Sequence, residues 1–217
     1  MIYSQLTQRS LSVVLLGDFN PKIFQPFWFA HKKLLSEQEC KEASENGIEV
    51  IHSSIVRFKT TWANFDISQT RFEIRTSNEQ MFNPAKDLLN GIFNILNETP
   101  IKAIGINHIL HYRMSNKEVY HNFGVDKGAL KNWSFMNNPK LLQIEIVESE
   151  RTDGEKGSVR IRLYPSDLVK PNGIAVNIND HYDVADGSNG RQGEAMDLCN
   201  KYWNSSFDRA IEIANNI

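Results

Sequence analysis

Arg71-Phe72-Glu73-Ile74-Arg75-Thr76 is followed, after Ser77–Met81, by a stretch that opens on Asn83-Pro84 and carries Ala85, Leu88, Leu89, Ile92, Phe93 and Leu96. The first run alternates strictly, so in a strand Phe72 and Ile74 point to one side and Arg71, Glu73 and Arg75 to the other. In the second, apolar residues recur three and four apart, which is the stripe of a helix packed on a core, and Pro84 suits its first turn. A half-buried strand feeding an amphipathic helix predicts an α+β fold: a mixed or antiparallel sheet with helices over one face.

Working outward, the same grammar recurs. Residues 11–19 form a β-rich run closed by Asn20-Pro21, and 27–45 read as one helix with Phe27, Ala30, Leu34, Cys40 and Ala43 on its buried side, stopped by Asn46-Gly47. Residues 48–58 read as a single strand. Past Pro100 the order restarts, with a long strand over 101–112 and a polar, partly helical stretch over 116–133. A strand pair follows at 141–147 and 158–164 around Asp153-Gly154, then a strand at 174–179 and a final helix over 193–217. Val159-Arg160-Ile161-Arg162-Leu163-Tyr164 repeats the alternation of residues 71–76, and Trp28 and Trp133 fall at comparable places, about 90 residues apart being the overall period. The expected organisation is one domain over 1–217, a pseudo-duplication of a β-α-β-β-α unit with halves near 1–100 and 101–217. Two units in this order resemble the duplicated TATA-binding-protein-like fold, in element order alone. No linker or low-complexity segment divides them.

Composition narrows the function classes. The chain has 217 residues, a formal net charge of −2 and 41% apolar residues. A chain of this length buries roughly 70% of its unfolded surface, so neither metal nor disulfide is needed to fold it. Near-neutral charge predicts no strong attraction to nucleic acid or anionic membranes. Cys40 and Cys199, the two cysteines, are far apart and expected to be reduced, buried thiols. The apolar run 11–16 is too short to span a membrane and lacks a basic leader. A soluble, cytoplasmic protein is the expectation.

Several motifs offer chemistry. Gly17-Asp18-Phe19-Asn20 resembles the G-D-F-N motif of the endonuclease/exonuclease/phosphatase family, and Asn179-Asp180-His181 resembles that family's closing S-D-H. The resemblance implies a metal-dependent phosphodiesterase or nuclease in which Asp18 and Asn20 stand beside the ion and Asp180 orients His181 as a base. Only 16 residues precede Gly17 and none is acidic, so the family's metal-binding Glu has no counterpart. This is the alternative reading. His108 and His111 lie three apart in a strand and face opposite ways, which prevents a shared metal. Asp180, Asp183 and Asp186-Gly187 are not spaced as an EF-hand, and 180–191 reads as a loop. No metal or cofactor is expected.

A broader set, Gly105-Ile106-Asn107, Tyr120-His121 with Gly124, Trp133, Asp153-Gly154 and Asn179-Asp180-His181-Tyr182, resembles a family of bacterial proteins of unassigned function over residues 101–182. The resemblance implies a bacterial protein, some of whose relatives neighbour phage-defence or mobile-element genes, and it carries no catalytic residues. The favoured reading is therefore a binding or interaction module. If the halves share one sheet, alternation puts Arg71, Arg75, Arg160, Arg162, Asn177 and Asn179 on its open face, where guanidinium groups suit capture of carboxylate or phosphate. The expected partner is an acidic protein segment or a second copy, with nucleic acid less favoured. Charges on an open face would contribute little to stability.

Overall fold

The computed structural model describes residues 4–184 and 192–217. In chain order the elements are β1 (Ser4–Gly17), α1 (Pro26–His31), α2 (Glu37–Glu42), β2 (Ile48–His52), β3 (Ile55–Lys59), β4 (Asn64–Ser68), β5 (Arg71–Thr76) and α3 (Phe82–Ile95). They continue with β6 (Ile101–Met114), α4 (Lys117–Lys127), β7 (Ile144–Glu148), β8 (Gly157–Pro165), β9 (Gly173–Asp183) and α5 (Gln192–Asn216). The fold is α+β. All nine strands join one antiparallel sheet in the order β2-β3-β4-β5-β1-β6-β9-β8-β7. Among the described residues no helix is long and apolar enough to cross a membrane.

The 14-residue strands β1 and β6 pair at the centre, from Ser4 opposite Met114 to Gly17 opposite Ile101. One parity of their side chains builds the core. Leu11, Val13 and Leu15 of β1, Phe72 and Ile74 of β5, and Ile104 and Ile106 of β6 pack with Ala85, Leu88, Leu89, Ile92 and Phe93, so the α3 stripe does what its spacing predicts. Phe58 and Phe65 extend this cluster as a stacked pair at 4.5 Å, capped by Phe29. A second cluster gathers Leu110, Val159, Leu163, Val176 and Ile178 beneath Ala210 and Ala214 of α5.

Polar residues mark the boundary between the clusters. On β6, His108 stands between Ile106 of the first and Leu110 of the second; on β9, Asp180 stands between Tyr182 and Ile178. His108 Nε2 lies 3.3 Å from Ser206 Oγ of α5, and the guanidinium of Arg9 sits 3.8 Å over the Phe207 ring.

Three sequence expectations are corrected. The helix expected over 27–45 is two short helices, because Lys33 adopts a left-handed backbone (φ 57°) and Ser36 starts a new helix through a capping box with Glu39. Phe27 is consequently 66% exposed and Phe29 takes its core position. The single strand over 48–58 is the hairpin β2–β3, and β4, an alternating run that the sequence reading passed over, completes the pairing with β5. Residues 180–183, assigned to a loop, finish β9; Asp186-Gly187 lies outside the described residues.

Candidate functional site

The opposite parity of the central strands forms a shallow concavity of about 560 Å³ on the sheet. Strand register builds it. Arg75 of β5 pairs with Ser12 of β1, Ser12 with Asn107 of β6, Asn107 with Asn179 of β9, and Asn179 with Arg160 of β8. One row thus runs Arg, Ser, Asn, Asn, Arg across five strands, with its two arginines roughly 19 Å apart at four strand spacings. Short side chains make the floor and arginines make the two walls. Arg71 joins Arg75 on one wall, and Arg162 and Asn177 join Arg160 on the other.

Asn179 Nδ2 donates to Asn107 Oδ1 across the floor. Gly105 leaves room for that pair, since a Cβ there would come within 3.2 Å of Asn179 Nδ2 and 3.4 Å of Asn107 Oδ1.

Each wall holds one carboxylate between two guanidiniums. Glu73 lies 2.6 Å from an Arg71 terminal nitrogen and 2.8 Å from one of Arg75. Its other contact is the hydroxyl of Ser12, which donates at 2.5 Å. Glu73 is only 5% exposed. Burial pushes its pKa up, but the Ser12 hydrogen bond and the Arg75 and Arg71 charges outweigh this and hold it below the usual value. On the far wall, Glu145 of β7 lies 3.3 Å from Arg160 Nε and 3.5 Å from Arg162 Nε. Four arginines against two glutamates leave the walls two units positive.

The structure brings all six open-face residues read from the sequence, Arg71, Arg75, Arg160, Arg162, Asn177 and Asn179, around this one concavity. The expectation that all four arginines are thermodynamically silent needs correction. Arg71 and Arg75 neutralise a buried carboxylate, and removing one side of a buried pair is costly.

The alternative set is not brought together. Asp18 is exposed at the end of β1 beside Lys102, 3.3 Å away, and Asn20 spends its side chain capping a turn at the Lys22 amide. Asp180 pairs with Ile106, five residues along β6 from the Ile101 end where Asp18 sits, or roughly 17 Å along the strand. Asp180 and His181, as strand neighbours, face opposite ways. His181 lines the concavity and bonds Asp183 at 3.1 Å, whereas Asp180 is fully buried on the helix side. A carboxylate cannot orient an imidazole through the sheet.

Asp180 belongs instead to a buried ionic cluster. Arg151, with no exposed side-chain surface, donates to Asp180 Oδ1 at 2.6 Å and makes a paired contact with Asp153; Arg209 of α5 reaches Asp153 at 2.7 Å and Asp180 at 3.3 Å. The Tyr182 hydroxyl donates to Asp180 Oδ2, and the Arg151 guanidinium lies 3.8 Å over the Tyr182 ring. Burial opposes ionisation of Asp153, but the two guanidiniums win and hold its carboxyl well below the usual range. Two arginines and two aspartates balance, so the cluster is a closed structural unit.

His108 and His111 do face opposite sides, His111 accepting or donating to Ser166 Oγ at 2.9 Å. Among the described residues no cluster of three or more His, Cys, Asp or Glu has metal-binding geometry. No protein family matches the chain, and no curated protein is significantly similar to it.

Sequence reading overlooked Glu145 and Ser12 and gave Asn107 no role at the site. Glu73 was visible in the alternation, but its burial depends on Ser12, 61 residues away. Only the register of β1 against β5 could have signalled it.

Proposed function

We propose that the chain is a binding module that takes an acidic protein segment across the trough of its open sheet face. The observation that carries this reading is the convergence of four arginines, drawn from segments about 90 residues apart, on one concavity with a net charge of two positive units. Guanidiniums on rigid strands lose little entropy on binding and match planar carboxylates.

Two further features support it. Residues of α1, α2, α3 and α5 belong to the two apolar clusters, which supports reading the opposite, polar face of the sheet as free. The outward strand orders from the central pair, β1-β5-β4-β3-β2 and β6-β9-β8-β7, descend in the same sense with five strands and four, which supports reading the halves as a duplicated unit. Duplication would explain why each wall has the same composition, two arginines about a glutamate. The trough is shallow and its titratable groups are paired, which favours recognition over catalysis.

The test uses a fluorescent glutamate-rich peptide and the double variant Arg160→Ser, Arg162→Ser. Binding to the parent chain should weaken with added salt, and the variant should lose it while keeping its melting temperature. Equal binding by both proteins would remove the trough as the site.

A further inference from the structure

The two walls of the trough differ in what they leave free. On the β5 wall the terminal nitrogens of Arg71 and Arg75 are committed to a buried carboxylate that Ser12 anchors. On the β8 wall Arg160 and Arg162 come closest to Glu145 at Nε, 3.3 and 3.5 Å away, and among the described residues their terminal nitrogens have no hydrogen-bond acceptor. Both side chains are nearly half exposed, at 46% and 43%. They leave the same face of β8 two residues apart, roughly 7 Å. Glu145 approaches from β7 on the outer side. On the inner side, Asn177 pairs with Arg162 and Asn179 with Arg160.

We propose that Arg160 and Arg162 form a fork for a phosphoryl group carried by a serine or threonine of the acidic segment, with Asn177 and Asn179 as adjoining amide donors. This rests on the trough being the binding face. A carboxylate brings two oxygens and one negative charge, so when two guanidiniums share it, as Arg71 and Arg75 share Glu73, each gains one oxygen and one positive charge is left over. A phosphate monoester has three oxygens and a charge near −2, so it can occupy two guanidiniums at once. The fork offers two, with one net positive charge after Glu145. Glu145 then has a double role. It stands against the Nε of both guanidiniums, and as a resident carboxylate it weakens any incoming anion.

The experiment is an NMR titration of the full chain with N-acetyl-O-phosphoserine amide, the corresponding glutamate and serine amides, a tetraglutamate peptide and a ten-residue oligothymidylate. Phosphoserine amide is expected to shift β8 and β9 resonances and to bind about ten-fold more tightly than the glutamate amide, with no response to serine amide. Arg160→Ser with Arg162→Ser should abolish this, and the double Lys variant, which keeps the charge but not the fork, should lose roughly ten-fold. Glu145→Gln should tighten binding roughly three-fold to ten-fold. Equal affinity for phosphoserine and glutamate amides, or retained binding by the double Ser variant, overturns the fork. Tighter binding of oligothymidylate, with steep salt dependence, also overturns it and makes the wall a nucleic-acid contact. If tetraglutamate shifts the trough resonances while phosphoserine shows no preference, the fork fails and the acidic-segment reading stands; if neither binds, both fail.

Discussion

Glu73 leaves its strand on the side that faces solvent, yet Arg71, Arg75 and Ser12 close over it. Its arginines and those of β8 therefore have different thermodynamic weight despite identical strand parity. Arg71→Ser with Arg75→Ser leaves a buried carboxylate uncompensated and should cost about 3–5 kcal/mol at pH 7. Without the guanidiniums only the Ser12 hydrogen bond opposes burial, so the pKa of Glu73 rises and the loss should shrink as pH falls toward 4. Arg160→Ser with Arg162→Ser should cost less than about 1 kcal/mol. Urea unfolding of both variants at the two pH values separates these outcomes. His108 supplies a second pH dependence. Burial lowers its pKa to about 4, with the Asp180 charge opposing and the Arg9 charge assisting. The unfolded chain takes up that proton near 6.5 and the folded chain only near 4. Stability should therefore be full above pH 6.5 and decline by up to about 3 kcal/mol as pH falls to 4. His108→Gln should flatten that part of the stability–pH curve.

Among the elements, those with an unbroken period were legible in the sequence. The alternation in β5 and β8 and the stripe of α3 depend on neighbours within a few residues, and each element stands where the pattern put it. The break between α1 and α2 was hidden because it turns on the backbone of Lys33, a residue with no strong left-handed preference. The strands β2 and β3 were blurred because hairpin register is set by the partner strand and not by local composition, whereas β4 alternates over Asn64–Ser68 and went unread because the run is only five residues long. The six open-face residues could be named from parity, whereas the carboxylates between them needed long-range register. Asp180 is the converse case. Its tripeptide suggested chemistry, and its actual partners, Arg151 and Arg209, each lie 29 residues away. Those partners tie α5 and the turn at Asp153 to β9, so Asp180→Ala should destabilise the protein by about 3–5 kcal/mol by leaving Arg151 and Arg209 to share the single carboxylate of Asp153. Hydrogen exchange should locate the effect, with α5 amides opening before those of β1 and β6.

At the level of the whole molecule, β6, β9 and α5 each contribute to both ends of the core. β6 carries Ile106 of one cluster and Leu110 of the other, and α5 carries Trp203 and Ala210 likewise. Unfolding should accordingly be a single transition, with coincident curves from tryptophan fluorescence and far-ultraviolet circular dichroism. Limited proteolysis should yield no stable fragment ending near Pro100; such a fragment would mean that the halves fold separately. The central position of β1 also bears on the order of events at the ribosome. Residues 11–16 can zip onto β5 once the first half has emerged, but the other edge of β1 pairs only with β6, which is translated later. A nascent chain paused near residue 100 would hold its longest strand with one side bare, in the state most prone to cross-pairing with a neighbouring polysome product, until residue 114 clears the exit tunnel.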